Sequence, residues 1–368
     1  MMLTEDFTQL TINASRIGQS ATGMYVYARA MAECIARLVP GARLVTTRKF
    51  GEVNGLEMEY VPGILGIETK VSRLRPLLWY FYSKFSFRTR GDAIISPTHH
   101  AIPGTMRQII TIHDLRPYYN PDSIMQQVYF RYLLPRTAKH LDGILTVSQL
   151  VKKEICEVYG VPAEKVHVVG NVVDLSRFSP LSQTPKSGGE YLLVIGANWN
   201  HKNIEALIDH CDLWSRRFRL KILCNNPQYR QFLSDRAAQM EITERVEFIA
   251  RVPEEELITL YQQAAALVHP SLNEGFGLPL YEAIACGIPV LASDLEVFRE
   301  NLGDVPIYFN LQDDSSWATA FATLDHRADL QSRIDRGLLL VEKFSADAMC
   351  RQLTAALQAV WPQLQMRA

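Results

Sequence analysis

Along most of the 368-residue chain, short apolar runs rich in β-branched residues alternate with longer segments of helical period. That alternation predicts parallel sheets wrapped by helices. In the first half the strand-sized runs are LTINAS, RLVTTR, DAIISP, QIITIHD, GILTVS and KVHVV; a second series reads YLLVIG, RLKILC, RVEFIA, AALVHP, IPVLAS and VPIYF. Between the series lies SPLSQTPKSGGE, residues 179–190, rich in Ser, Pro and Gly and without period, the composition of a linker. The pattern therefore predicts an α/β protein of two Rossmann-like, doubly wound domains, residues 1–178 and 191–345. Residues 346–368 form a final helical segment expected to pack back toward the first domain. A chain of this length is long for one core and comfortable for two. Two such domains would face each other across a cleft with the carboxyl ends of their strands, where doubly wound sheets bind ligands.

Composition narrows the function classes. With 48% hydrophobic residues, 21% charged and a net charge of -1, the chain lacks a protein-wide electrostatic hold on nucleic acid, and no such partner is expected. Glu5 and Asp6 precede any apolar run, which argues against a signal peptide and for the cytoplasm. No apolar run approaches the roughly 20 residues that span a bilayer, so any membrane contact would be peripheral. The six cysteines (34, 156, 211, 224, 286, 350) are scattered without a C-x-x-C pair and read as reduced thiols, with neither a disulfide frame nor a zinc site.

The densest candidate chemistry is SLNEGFGLPLYEAIACG, residues 271–287. AALVHPS reads as a buried strand, Pro279 suits the first turn of a helix, and Gly287 suits its end. Glu274 then sits in the loop and Glu282 one turn into the helix. Glycines at 275 and 277 let a ligand approach the backbone, and an anion belongs at such a helix start. Two carboxylates flanking a phosphate would repel it if they faced it, so they better suit hydroxyl groups on either side. An isolated pair of acids at this spacing is ordinarily a loop acid and a solvated helix acid; the intervening Gly-Phe-Gly-Leu-Pro shifts the balance.

PSLNEGFGLPLYEAIACGIPVLAS resembles, throughout its length, the signature of glycosyltransferase family 4, retaining enzymes of the GT-B fold. The resemblance covers most of the chain, most densely residues 92–175 and 191–303. It implies that Glu274 holds hydroxyls of a donor sugar, that Gly275, Phe276, Gly277 and Leu278 cradle the diphosphate, and that Glu282 holds the nucleotide ribose. VIGANWNHKNIEALI places Lys202 to neutralise the diphosphate, with Asn198 a further donor contact. The family usually carries an arginine shortly upstream, and here Ala197 stands in its place; His201 is a candidate substitute. IITIHDLRPYYNP is similar to the strand that ends at the cleft in His-Asp, which makes His113 a candidate for the reacting centre. RVPEEELITLYQQA resembles the helix beside the nucleobase, with the backbone of Arg251 and Val252 reading the base. SRIGQSATGMYVY only partly matches the family's donor-side glycine loop, implicating Gly23 and Arg16; a plain strand-to-helix turn reads it nearly as well.

Residues 70–90, KVSRLRPLLWYFYSKFSFRTR, hold six basic residues, six aromatics and no acid. They read either as an ordinary amphipathic helix or as a patch for anionic lipid or a lipid-linked diphosphate. No D-x-D occurs, so no metal and no cofactor is expected; the nucleotide sugar is a substrate. The leading expectation is a hexosyltransferase moving mannose from GDP-mannose to a glycan or polyprenyl-diphosphate-linked glycan, at the inner membrane face. A UDP-sugar-dependent hexosyltransferase, an epimerase or phosphorylase on the same fold, and a non-catalytic glycan-binding protein with a decayed donor site stay open.

Overall fold

The computed structural model describes residues 9–17, 23–62, 81–83, 93–102, 107–121, 123–181 and 190–367. The chain forms two compact units, Met1–Val172 with Ala346–Ala368, and Val173–Ser345. The division thus falls ahead of the 179–190 stretch. Val173 N–H donates to Phe344 O at 2.9 Å, and the Phe178 ring packs edge-on against Tyr261 at 5.7 Å, so residues 173–178 fold with the second unit. Residues 182–189 lie outside the described residues.

The first unit holds a seven-stranded parallel sheet in the order β3-β2-β1-β4-β5-β6-β7. Its strands are β1 (Leu10–Asn13), β2 (Arg43–Thr46), β3 (Glu57–Tyr60), β4 (Ala93–Ser96), β5 (Gln108–Thr111), β6 (Gly143–Thr146) and β7 (Val166–Val168). Six of these were expected; β3, with the polar sequence EMEY at the sheet edge, carries no apolar run to announce it. Central strands are buried at every position, and Ile110, Ile144, Phe130, Leu134 and Ile155 make the core on one face.

The segment after residue 345 belongs to this unit. Its helix Ala346–Val360 lies along the helix Gly23–Leu38, Trp361 Nε1–H donates to Asp142 Oδ2 at 2.6 Å, and Gly170 N–H donates to Gln352 Oε1 at 2.8 Å. Gly143 permits the approach, because a Cβ there would lie 2.9 Å from Val360 Cγ2. The same packing corrects the expectation of six reduced thiols: Cys34 and Cys350 form a disulfide, their Cα atoms 5.5 Å apart. With the two cysteines 316 positions apart in sequence, only the pairing of the helices Gly23–Leu38 and Ala346–Val360 brings them together. Cys156, Cys211, Cys224 and Cys286 are free thiols.

The second unit is a six-stranded parallel sheet in the order β10-β9-β8-β11-β12-β13. Its strands are β8 (Tyr191–Val194), β9 (Arg219–Leu223), β10 (Val246–Ile249), β11 (Ala266–His269), β12 (Val290–Ser293) and β13 (Ile307–Phe309), each within an expected run. Leu192, Leu220, Val268, Trp214 and Trp317 anchor its core. Among the described residues no helix is long and apolar enough to cross a membrane. Of residues 70–90 only Phe81, Tyr82 and Ser83 are described, so the basic aromatic patch lies outside the described residues.

Candidate active site

In the second sheet chain order reverses between β8 and β11, and a doubly wound sheet opens its ligand crevice beyond the carboxyl ends of the strands at such a point. Lys202 follows β8 and Glu274 follows β11. The segment after β8 makes a 3₁₀ turn at Asn200–Lys202; Asn203 then adopts a left-handed conformation (φ 55°), and the helix begins only at Ile204. Asparagine tolerates that conformation better than most residues. Leu272 N–H donates to His201 O at 2.8 Å, which ties the two loops together.

Glu274 Oε1 is the centre of the cluster. It accepts from Lys202 Nζ at 2.5 Å, His269 Nε2 at 2.8 Å and Ser271 Oγ at 2.9 Å. Ser293 Oγ–H in turn donates to Ser271 O at 2.7 Å and fixes the loop to β12. Burial opposes the Glu274 charge, yet the adjacent Lys202 and the hydrogen bond from His269 prevail and hold its carboxyl well below the usual carboxylate range. Burial lowers His269 against the pull of Glu274, so its imidazole is neutral and its Nε2–H points at the carboxylate. The result is a charged, oriented carboxylate whose other oxygen, Oε2, is left to accept from ligand hydroxyls. His269 and Ser271 were not foreseen as functional; the signal was present as a histidine ending an apolar strand.

The helix Leu278–Ala285 starts one residue before Pro279, ends at Cys286 and is followed by left-handed Gly287 (φ 72°). Its N-cap, Gly277, is also left-handed (φ 83°), and a Cβ there would come within 2.5 Å of Phe298 Cε1. Only glycine fits. Phe276 is buried, stacked on Tyr281 at 4.1 Å, so its side chain serves the core and its backbone remains for a ligand. Among the described residues, the N–H groups of Gly275, Phe276, Gly277 and Leu278 donate to no acceptor. Bare amides at a helix start beside a lysine form a seat for a polyanion.

Glu282 lies in that helix, where burial raises its carboxyl while the hydrogen bond from Tyr261 and the charge of Arg177 lower it. Tyr261 Oη–H donates to Glu282 Oε2 at 2.6 Å. Tyr261, from the helix Glu254–Gln262, is a further group that the sequence pattern did not announce. Asn198 holds the loops together: its Oδ1 accepts from Asn225 N at 2.7 Å and its backbone O from Asn226 Nδ2 at 2.8 Å. Ala197 is fully enclosed in the apolar core, so a guanidinium at that position would displace packed side chains. Arg251 is exposed and Val252 half-buried in the loop after β10, and no hydrogen bond joins either to the Glu274 cluster.

The first sheet reverses between β1 and β4, and it too gathers polar groups there. Asn13 Nδ2–H donates to Ser96 Oγ at 3.1 Å across the reversal. Beyond β4, the rings of His99 and His100 stack at 4.3 Å, and Tyr129 Oη–H donates to His99 O at 2.7 Å. His113, just past β5, donates Nε2–H to Pro97 O at 2.9 Å and lies edge-on to Tyr27 at 4.8 Å. Burial pushes His99 down to about 3, helped by His113 and Arg16. Burial likewise lowers His100, with His99 and Arg16 adding to the shift, and lowers His113 against Pro97 and Asp114. These imidazoles are neutral at pH 7 and suit hydroxyl groups. His113 and Arg16 were expected here; His99, His100 and Tyr129 were not. Gly23 opens the helix Gly23–Leu38, and the preceding residues 18–22 lie outside the described residues.

Comparison with known proteins agrees with this geometry. Residues 177–310 match the family described as glycosyl transferases group 1, and residues 23–177 match glycosyltransferase family 4. The chain is 36% identical over 334 residues to the O-antigen chain mannosyltransferase RfbU of Salmonella typhimurium, an alignment covering 89% of this chain and 94% of that one. It is 28% identical over 262 residues to the O-antigen chain mannosyltransferase B of Escherichia coli, covering 65% and 67%. Among solved structures, sucrose-phosphate synthase of Thermosynechococcus elongatus superposes with a TM-score of 0.78 over 96% of this chain and 99% of that one, at 18% identity, a likeness of fold. Two parallel-sheet units, two matching family models and a relative matched over nearly its whole length place the chain in glycosyltransferase family 4, enzymes of the GT-B fold.

Proposed function

We propose that this hexosyltransferase moves mannose from GDP-mannose onto a lipid-linked surface glycan, with retention at the anomeric carbon and without a metal. The observation that carries the reading is the Lys202–Glu274–His269 cluster beside the bare amides that open the helix Leu278–Ala285. The amides of Phe276 to Leu278 and Lys202 hold the diphosphate, Glu274 accepts from hydroxyls of the sugar, and Glu282 accepts from the ribose. The two O-antigen mannosyltransferase relatives support mannose as the sugar.

In the reaction an acceptor hydroxyl oxygen bonds to the anomeric carbon on the face that the diphosphate leaves, the carbon–phosphate-oxygen bond breaks, and the hydroxyl proton passes to the departing diphosphate. Charge grows on that leaving group, and preorganised donors aimed at it lower the barrier. His113, its Nε2–H committed to Pro97 O, offers Nδ1 as an acceptor to a hydroxyl of donor or acceptor. A decayed donor site, the reading that the Ala197 departure invites, predicts weak nucleotide-sugar binding and no turnover.

Thermal stabilisation tests this directly, with GDP, UDP, ADP and dTDP compared alone and as sugar conjugates. A nucleotide at about 100 times its Kd should add about 2.7 kcal/mol. Stabilisation by GDP and GDP-mannose that disappears in Glu282→Ala is the expected result. Selective stabilisation by UDP would transfer the proposal to a UDP-sugar, and no shift with any nucleotide would sink it.

A further inference from the structure

Six large apolar side chains with prominent exposure, Tyr119, Ile124, Met125, Val128, Tyr132 and Leu133, crowd into fifteen residues, whereas the others are scattered through the described residues. Single exposed hydrophobes need no explanation, but a contiguous set marks a contact surface. Three short helical pieces carry it: Ile124–Val128, a π turn at Tyr129–Leu133, and Leu134–Ala138. Phe130, Leu134 and Ala138, four residues apart, face the core of the first unit. Ile124, Val128 and Tyr132, also four apart, are exposed. The π turn adds a residue to one turn, and Arg131, Tyr132 and Leu133 are consecutively exposed there. The segment is therefore apolar on two faces, one of which the fold leaves uncovered.

Charge identifies the occupant. From Ser123 to Leu141 there are three basic residues, Arg131, Arg136 and Lys139, all exposed, and no acid. Arg131 is braced by its Nε–H to Tyr118 O at 2.9 Å. In the sequence Asp122 and Asp142 bound the segment, one at each end; burial first, then Glu154 and Glu157, raises Tyr119, so that tyrosine belongs to the rim. An apolar ridge with a cationic border matches the interfacial region of an anionic bilayer, which takes the apolar side chains and attracts the cations.

We infer that residues 124–139 dock the first unit onto an anionic lipid surface. This segment is distinct in sequence from residues 70–90. Its inner side carries Tyr129, bonded to His99 O and beside the His99 and His100 rings. One helical segment thus touches both the polar crevice and the proposed membrane face, an arrangement that would bring a lipid-linked acceptor to the histidines. That role rests on the transferase reading above; the docking itself does not.

Co-sedimentation with vesicles of phosphatidylglycerol and of phosphatidylcholine, at low and high salt, tests the proposal. Wild type should bind the anionic vesicles and release them in high salt. Ile124→Ser/Val128→Ser/Leu133→Ser and, separately, Arg136→Glu/Lys139→Glu should each weaken that binding about tenfold or more. Both variants should keep wild-type transfer to a water-soluble acceptor, which separates a docking defect from misfolding and from failure of the transferase reading. Absence of vesicle binding, equal binding to neutral vesicles, or binding unchanged in both variants would overturn it. So would a wild-type dimer that the apolar variant converts to monomer with vesicle binding intact, since the ridge would then seat a second copy.

Discussion

At the reversal of the second sheet, the charges of Lys202 and Glu274 offset one another, and neutral His269 donates to the same carboxylate oxygen. At the reversal of the first, burial keeps His99, His100 and His113 neutral, with Arg16 adding to the shift of the first two. The same topology therefore serves two chemistries. The second crevice is a preformed ionic seat with bare amides beside it, suited to a diphosphate whose charge rises during reaction. The first is a seat of neutral donors and acceptors, suited to hydroxyls.

The largest effect should come from breaking the ionic seat. Lys202→Ala removes the cation beside Glu274 that is proposed to hold the departing diphosphate, and kcat should fall by about 10²–10³, the size seen when one donor to a developing anion is lost. Steady-state kinetics with GDP-mannose reads this. A fall of less than about tenfold would mean that the amides alone carry the leaving group.

Acid should divide the two units next. His99 folds with a pKa of about 3, against about 6.5 in an unfolded chain. As pH falls through about 6.5 the unfolded state takes up a proton that the folded state refuses, so stability drops, for His99 by about 2 kcal/mol between pH 6.5 and pH 5 and in the same direction for each other histidine held neutral. The first unit has four histidines shifted this way, His99, His100, His113 and His167, and the second has His269. Glu274 behaves oppositely in range: its depressed carboxyl contributes stability above the unfolded value of about 4.3, lost only as pH falls further. Asp142 and Glu282, both raised by burial, push against these trends, one in each unit. Scanning calorimetry at pH 7 and pH 5 should show the transition that GDP does not raise moving down the more. Equal movement of both would abolish the distinction drawn between the crevices.

How much of this was legible in the sequence follows the same division. In the second unit a contiguous stretch holds strand end, loop, glycine cap and helix, so Glu274, Gly277 and Glu282 could be placed in loop, cap and helix from residues 270–287 alone. The groups that tune them could not: His269 looked like the end of an apolar strand, and Tyr261 comes from another helix. In the first unit the crevice is assembled from segments at 13–16, 96–100, 113 and 129, with no spacing to signal it. The Cys34–Cys350 disulfide is the extreme case, since only helix packing relates its ends.

The smallest predicted effect tests whether such unannounced neighbours matter. Tyr261→Phe keeps the ring against Phe178 and deletes the hydroxyl that donates to Glu282. Burial alone drives Glu282 up, and the Tyr261 hydrogen bond works downward with Arg177. Without the hydroxyl the carboxyl rises further and gains its proton at higher pH. A protonated Glu282 has one acceptor oxygen fewer for the ribose proposed to bind there, so, as the pH is lowered from 8, GDP affinity in the variant should begin to fall earlier than in wild type. At pH 8 the two should differ by about 1 kcal/mol or less, the net worth of an ordinary hydrogen bond. Calorimetric titration across that range separates the possibilities. Parallel curves would assign Tyr261 to positioning alone; diverging curves would show that the carboxylate's charge, and with it the ionic character of the second crevice, depends on a residue outside the motif.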